Sequence, residues 1–313
     1  MSYRLQQYEP LEEGVRRIAE EQIDKALAEI DDSKLGRHDT VHQVRKRCKK
    51  LRALARLVRP ALPAYQRINT LYRDAARDLS SIRDAHAVIE TFDDLLDHFD
   101  GAIDPDAFEP IRNHLVARRD EANAEVEAID RRIARLRDTM SSSRKNIESW
   151  SLEDEGSAVL GVGVKKTYRR ANKARAKATD TRTTAAFHEW RKRIKYHWYH
   201  ARLLQSCWPK LIEPWASETH RLSNLLGDEH DLAVLHAMLF KDPDRFADRK
   251  TLQAFFGLIE RRRAQLRVNA FGLGKLLQFE KPKHLGNRVC TYFDALQANN
   301  NALEAPAPRD VGE

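Results

Sequence analysis

A helical pattern that occurs twice restricts this chain more than anything else in it. Between Asp39 and Arg59, a rotation of about 100° per residue puts Val44, Cys48, Leu51, Ala55 and Val58 in one arc. His42, Arg45, Lys49, Arg52 and Arg56 fall in another, with Lys46 alongside. The scheme returns at an offset of 146 residues. There Trp190, Ile194, His197, Ala201 and Leu204 make the apolar arc, and His188, Arg191, Lys195 and Arg202 the basic one, with Lys192 alongside. A helix with one apolar stripe holds in water only when that stripe is covered, so two of them demand a helix-packed core. Thr40-Val41-His42-Gln43 reads as the capping box that opens the first copy, and Pro60 as its stop. With only 12 Gly and 11 Pro in 313 residues and few β-branched runs, the predicted class is all-α.

Charge follows the same two segments. Residues 34–60 hold ten Lys/Arg against one Asp, and residues 160–205 hold thirteen against one Asp and one Glu. Together they carry a formal +20, so in a chain of net +8 the remainder is −12. Solubility calls for mixed charge, whereas a field concentrated in this way repels itself and attracts polyanions. The expected partner is strongly anionic.

Read in order, the chain suits two domains, each burying its own core. The first is expected over residues 1–140, followed by a linker at 141–156, a second domain at 157–297 and a disordered tail at 298–313. Helices are predicted from Pro10 to Ile30, through the first basic segment, from the Arg59–Pro63 turn to Phe99, and from Pro105 to Met140, which describes an antiparallel four-helix bundle. The pattern then restarts. LGVGVK at Leu160–Lys165 matches LEEGVR at Leu11–Arg16 at an offset of 149, pairing Gly163 with Gly14, Lys165 with Arg16 and Lys166 with Arg17. At an offset of 147, His220, Asn224, Leu226 and Asp231 match Arg73, Arg77, Leu79 and Asp84. The reading is therefore two four-helix bundles produced by internal duplication.

The three cysteines, Cys48, Cys207 and Cys290, form no C-x-x-C pair, which suits a reducing cytosol. No apolar run approaches the roughly 20 residues of a membrane span, so a cytoplasmic protein with no membrane association is expected. The oligomeric state is not legible.

These residues resemble the CHAD family, the conserved histidine α-helical domain, from about Leu11 to Leu296. The likeness rests on the doubled H-x-x-R-x-x-x-K helix at His42/Arg45/Lys49 and His188/Arg191/Lys195, with L-x-x-x-R-D at Leu79–Asp84 and its variant LGDEHD at Leu226–Asp231. It implies two bundles related by a pseudo-twofold axis, whose basic residues line a shared surface and pore that binds inorganic polyphosphate, with association with polyphosphate granules. On that reading the binding residues are Arg16, Arg17, His42, Arg45, Lys46, Lys49, Arg52, Arg56, Arg73, Arg77, Lys165, Lys166, His188, Arg191, Lys192, Lys195 and Arg202. The E-x-E-x-K motif of the phosphatase domain often fused to this family has no counterpart, since Ser157 stands where Glu153-Asp154-Glu155 would need a Lys. His220, Asn224 and His230 replace arginines of the first half, so weaker binding is expected at that end.

The residue chemistry agrees with a linear polyanion. A row from His42 to Arg56 spans roughly 21 Å at 1.5 Å per residue, whereas a mononucleotide calls for a compact Gly-rich cradle. GVGVKK at Gly161–Lys166 lacks the P-loop spacing. Repeated phosphate needs only charge and donors, which Arg forks and Lys point charges supply, and no cofactor or metal. Single-stranded RNA is the rival ligand, with Trp198 and Tyr199 as candidate stacking rings. Metal-dependent phosphohydrolase chemistry, suggested by His38-Asp39 and His230-Asp231, is the third reading and needs several converging ligands. A non-catalytic role is expected, with Asp84 and Asp231 orienting nearby cations and affinity rising as His42 and His188 protonate near pH 6.5.

Overall fold

A computed structural model describes residues 3–7, 9–124 and 126–304, without the side chains of 80–84, 122, 123 and 299–304. Helices, short 3-10 turns and loops account for all of it, and the class is all-α. The first half comprises α1 (Leu11–Asp31), α2 (Arg37–Leu57), α3 (Tyr65–Asp78), α4 (Ser80–His98), α5 (Glu109–Asn123) and α6 (Val126–Lys145). The second comprises α7 (Ser157–Thr181), α8 (Thr184–Leu203), α9 (Pro209–Lys241), α10 (Arg249–Leu277) and α11 (Pro282–Glu304).

Both predicted stripes are core. Val44, Cys48, Leu51, Ala55 and Val58 on α2, and Trp190, Ile194, His197, Ala201 and Leu204 around α8, are all buried. Several boundaries differ from the sequence reading. Helix α2 begins at Arg37 after an extended Gly36 with no side-chain cap, and Thr40 is buried inside it instead of opening it. The long helix expected up to Phe99 breaks at Leu79, and the one expected from Pro105 becomes a 3-10 turn followed by α5 and α6. Packing accompanies both breaks: α3 lies on α2 and α6 while α4 touches α2 and turns to α5 and α9, and α5 contacts α4 while α6 contacts α1. One straight helix could not serve both neighbours. In the second half α9 runs unbroken for 33 residues where α3 and α4 divide the job.

Segment 141–156 is only partly a linker, because α6 runs through its first third and a 3-10 turn follows at Ile147–Ser149. Ile147 and Trp150 are buried in the main core, and Leu152 N donates to Glu12 Oε2 (2.7 Å) while Glu153 N donates to Ala61 O (2.8 Å). Likewise α11 extends through residues 298–304 of the expected tail, and 305–313 lie outside the described residues. The side chains of Ile82, Arg83 and Asp84 also lie outside them.

The cores are shared between the halves, which corrects the expectation of separate ones. The largest apolar cluster takes Val15, Ile18, Val44, Leu51 and Met140 from the first half and Leu160, Val164, Leu203, Leu285 and Val289 from the second. A second cluster joins Phe92, Leu95 and Ile111 to Leu235, Phe255 and Ile259, with the Phe92 and Phe255 rings stacked at 5.0 Å. Leu5 N also donates to Leu203 O (2.9 Å), tying the N-terminal segment to the end of α8. Packing order repeats nonetheless: α1 lies on α2 and α6, as α7 lies on α8 and α11. Helices α2 and α8 pack on each other between these layers, which places the two basic rows side by side.

Candidate polyanion-binding site

Helix α8 is pinned to α2 by a buried histidine, His200, whose Nε2 donates to Ala53 O (3.0 Å). Helix α7 closes on the other end of α2 at Gly163, where an added Cβ would sit 1.7 Å from Leu57 O. These two contacts decide which side chains meet. Along the α2–α8 seam Lys49 sits within the field of Arg45, Arg191 and Lys195, and Lys195 within that of Arg191, Lys46 and Arg202.

Electrostatic crowding is the defining property of this seam. Protein surrounding the Lys49 ammonium, together with its cationic neighbours, brings its pKa down to about 8, with Asp231 opposing. The side chain nonetheless reaches solvent, so much of its surrounding protein lies beside it and not over it. Burial and then Arg191, Lys46 and Arg202 bring Lys195 to about 8 as well. Each guanidinium is aimed by a neighbouring group: Arg45 Nη1 donates to Ala76 O on α3 (2.8 Å), and Arg191 Nη2 lies 3.9 Å from Asp231 Oδ2 on α9. Asp231 thus holds the orienting position read for it. Trp198 stacks on His220 at 4.1 Å, with Lys195 Nζ 4.4 Å and Arg202 Cζ 5.4 Å from its ring centre. Its ring is already engaged, and Tyr199 is buried.

A second concentration of cations lies toward the C-terminal end of α2. Arg56 is buried there, contrary to its expected place on an open face, with its Cζ 4.3 Å from the Tyr196 ring centre and 5.9 Å from that of Tyr65. Its seven-residue spacing from Lys49 puts it about 20° from that row, but Tyr196 and Tyr65 arrive from α8 and α3 and cover it. Arg52 lies 5.9 Å from Tyr196 and Arg59 lies 6.0 Å from Tyr65. Lys166 is depressed by Arg59, then by partial desolvation, Arg170 and Arg169.

Other predicted residues are placed elsewhere. Arg17 is neutralised by Glu9 (2.6 Å) and Glu21 (2.8 Å), and Arg16 by Glu12 (2.6 Å) with a further bond to Glu148 O (3.0 Å). Arg73 is paired with Asp74 at 2.8 Å, and Arg77 lies 3.9 Å from the same carboxylate. Lys192 bonds Glu189 (2.7 Å). Lys165 is half-buried beside α11, where its Cβ would lie 3.2 Å from a Cβ added at Gly286. His42 is exposed near the start of α2.

His188 does not supply the pH switch expected of it near 6.5, and neither do the histidines of α9 beside it. His188 is lowered by burial, then by Lys192 and Arg191, and its Nδ1 lies 3.2 Å from His230 Nδ1. Burial, with Arg191 and His188, holds His230 down at about 4, and His220 is lowered by burial, Lys195 and Arg202. Along the seam the lysines are the groups brought toward physiological pH, Lys49 and Lys195 to about 8, and the buried Lys50 behind them is brought to about 7 by desolvation and then Arg47, Arg202 and Lys46. In the third reading's dipeptides, His38 stacks on His86 at 3.9 Å and His230 faces His188. Among the described residues no three His, Cys, Asp or Glu side chains converge as a metal site.

Sequence reasoning missed Arg59, Arg170, Tyr65 and Tyr196. Helical spacing could have found the first two, since Arg59 follows Arg56 by three residues and Arg170 follows Lys166 by four. The tyrosines carry no local signal because their partners come from other helices. No helix is long and apolar enough to cross a membrane among the described residues. No curated protein matches the sequence. Residues 17–239 match the CHAD domain model. The matched span holds both basic helices, the seam and the arginine–tyrosine cluster, and on that match the chain belongs to the CHAD domain family.

Proposed function

We propose that this chain binds inorganic polyphosphate, without catalysis, in the groove where α2 and α8 lie side by side. The observation that carries the reading is that Lys46, Lys49, Arg191 and Lys195, from two distant segments, crowd together at an energetic cost to the free protein. A fold keeps such repulsion when a ligand relieves it, and a repeating anion relieves it along its length. Membership of the CHAD family supports the same ligand. Trp198 supports it over single-stranded RNA, because a ring already stacked on His220 offers a base little free face. Recruitment to polyphosphate granules in the cytoplasm would follow from this binding.

Calorimetry with long polyphosphate, triphosphate and single-stranded RNA at matched salt tests the reading. Long polyphosphate should bind tightest, and its log K should fall linearly with log salt. Equal affinity for RNA of the same charge, or an affinity that salt leaves unchanged, would overturn it.

A further inference from the structure

Many arginines of this protein are paired with carboxylates within the fold. Even the nearly buried Arg263, together with Arg267, closes on the buried Glu229 at 2.9 and 2.7 Å. At the far end of α2 several unpaired cations stand together. Among the described residues, Arg52, Arg56, Arg59, Lys166 and Arg170 form no ion pair with any carboxylate. Their hydrogen-bond and ring partners are neutral, although Arg52 also lies within the field of Asp74: Asn69 Oδ1 accepts from Arg56 Nη2 (2.8 Å) and Arg52 Nε (3.3 Å), and the Tyr65 ring faces both Arg56 and Arg59. Arg56 Nε, Arg59 Nε and Arg59 Nη2 are buried with no acceptor in the protein. A buried donor left unpaired costs about 1–3 kcal/mol, more when charged. Three in one place, presented by two guanidiniums on one tyrosine ring, describe donors arranged for an incoming anion.

We infer that Arg56 and Arg59, with Lys166 and Arg170 at the mouth, form a compact site for a phosphoryl end group, distinct from the linear seam. An end phosphoryl carries about −1.5 to −2 charge near pH 7 and three acceptor oxygens, as phosphate monoesters do, while an internal phosphate of a chain carries a single charge. Guanidinium forks suit a compact oxyanion of high charge, whereas the seam's lysines act as spaced point charges. Burial of Arg56 makes the site short, so it receives an end and not a passing chain. The group is the same whether it ends a polymer or belongs to free pyrophosphate. The polymer case rests on the proposed polyphosphate binding; the pyrophosphate case does not.

The test titrates the full chain with three probes: long polyphosphate, the same polymer with both ends converted to phosphoramidates, and pyrophosphate. Capping should weaken binding by ~10-fold, the size of one or two lost charge-assisted hydrogen bonds. Arg59→Ala/Arg170→Ala should bind capped and uncapped polymer alike and lose pyrophosphate. Lys166→Ala/Arg170→Ala, in which both changes are at exposed positions, should show the same loss if removing Arg59 impairs folding. Wild-type binding that ignores capping, with no pyrophosphate binding, would overturn the site while leaving polyphosphate binding intact. Pyrophosphate binding that depends on Arg59 or Arg170, without polymer binding, would keep the site and refute the polymer reading. No binding of any probe would refute both.

Discussion

The starts of α1 and α7 carry matched residues and do opposite things. At α1 an added Cβ on Gly14 would meet the end of the Glu9 side chain at 2.6 Å, whereas on Gly163 it would meet the Leu57 carbonyl at 1.7 Å. Gly14 lies beneath a side chain that can move aside only by releasing Arg17, and Gly163 is where two helix backbones touch. The next matched pair diverges as sharply: Arg17 lies between Glu9 and Glu21, while Lys166 lies among Arg59, Arg170 and Arg169. The same position in a repeated helix is thus a structural ion pair in one half and an uncompensated charge in the other. The carboxylates around it decide which, and not the cation itself.

Substitutions at the glycines should give the largest difference. Gly163→Ala is expected to cost at least ~3 kcal/mol, since a helix backbone must move, and Gly14→Ala about 1–2 kcal/mol, the cost of moving Glu9 off Arg17. Chemical denaturation of both variants measures this, and equal costs would break the contrast. Next in size is Lys49→Glu/Lys195→Glu, which should weaken long-polyphosphate binding by about 100-fold or more with the helical signal in circular dichroism retained, because both residues lie off the buried stripes.

Arg17→Ala and Lys166→Ala sharpen the comparison in opposite directions. Loss of Arg17 leaves Glu9 and Glu21 unpaired and should cost about 1–2 kcal/mol of stability with polymer affinity changed less than about twofold. Loss of Lys166 should leave stability unchanged and lower affinity by about threefold, with a salt slope shallower by about one charge. Thermal unfolding paired with calorimetry separates the two.

The smallest expected effect is that of pH. Lys49 and Lys195 stand near 8 in the free protein against an ordinary 10.5, so the unfolded chain binds more protons than the folded one between those values. Stability of the free protein should therefore rise as pH climbs through 8 toward 10. Polymer affinity should run the other way, level between pH 6 and 7 and falling by a few-fold as the lysines lose the protons that a polyanion would retain. An affinity that changes through 6.5 instead would return the role to the histidines.

Much of this was legible from residue order. The apolar arcs from Val44 to Val58 and from Trp190 to Leu204 were correct at every position named, because helical periodicity is a local property that neighbouring residues satisfy among themselves. The break at Leu79 was not legible, since no Gly or Pro marks it and it coincides with α4 turning from α2 toward α5 and α9. Arg56 was misplaced for a related reason: its helix face was read correctly, but the rings that cover it belong to Tyr65 and Tyr196.

The sequence by itself determined the all-α class, the two amphipathic helices and the segregation of +20 of charge into two segments, all of which follow from composition and a period of about four residues. Only the tertiary structure decided which cations remain uncompensated. Lys49 meets Lys195, and Lys166 meets Arg59, because α2 packs against both α8 and α7, whereas Arg17 is silenced by Glu9 in the segment preceding α1. Charge on a side chain is written in the sequence, but its neutralisation depends on distances across the fold, and Coulomb energy follows distance in space.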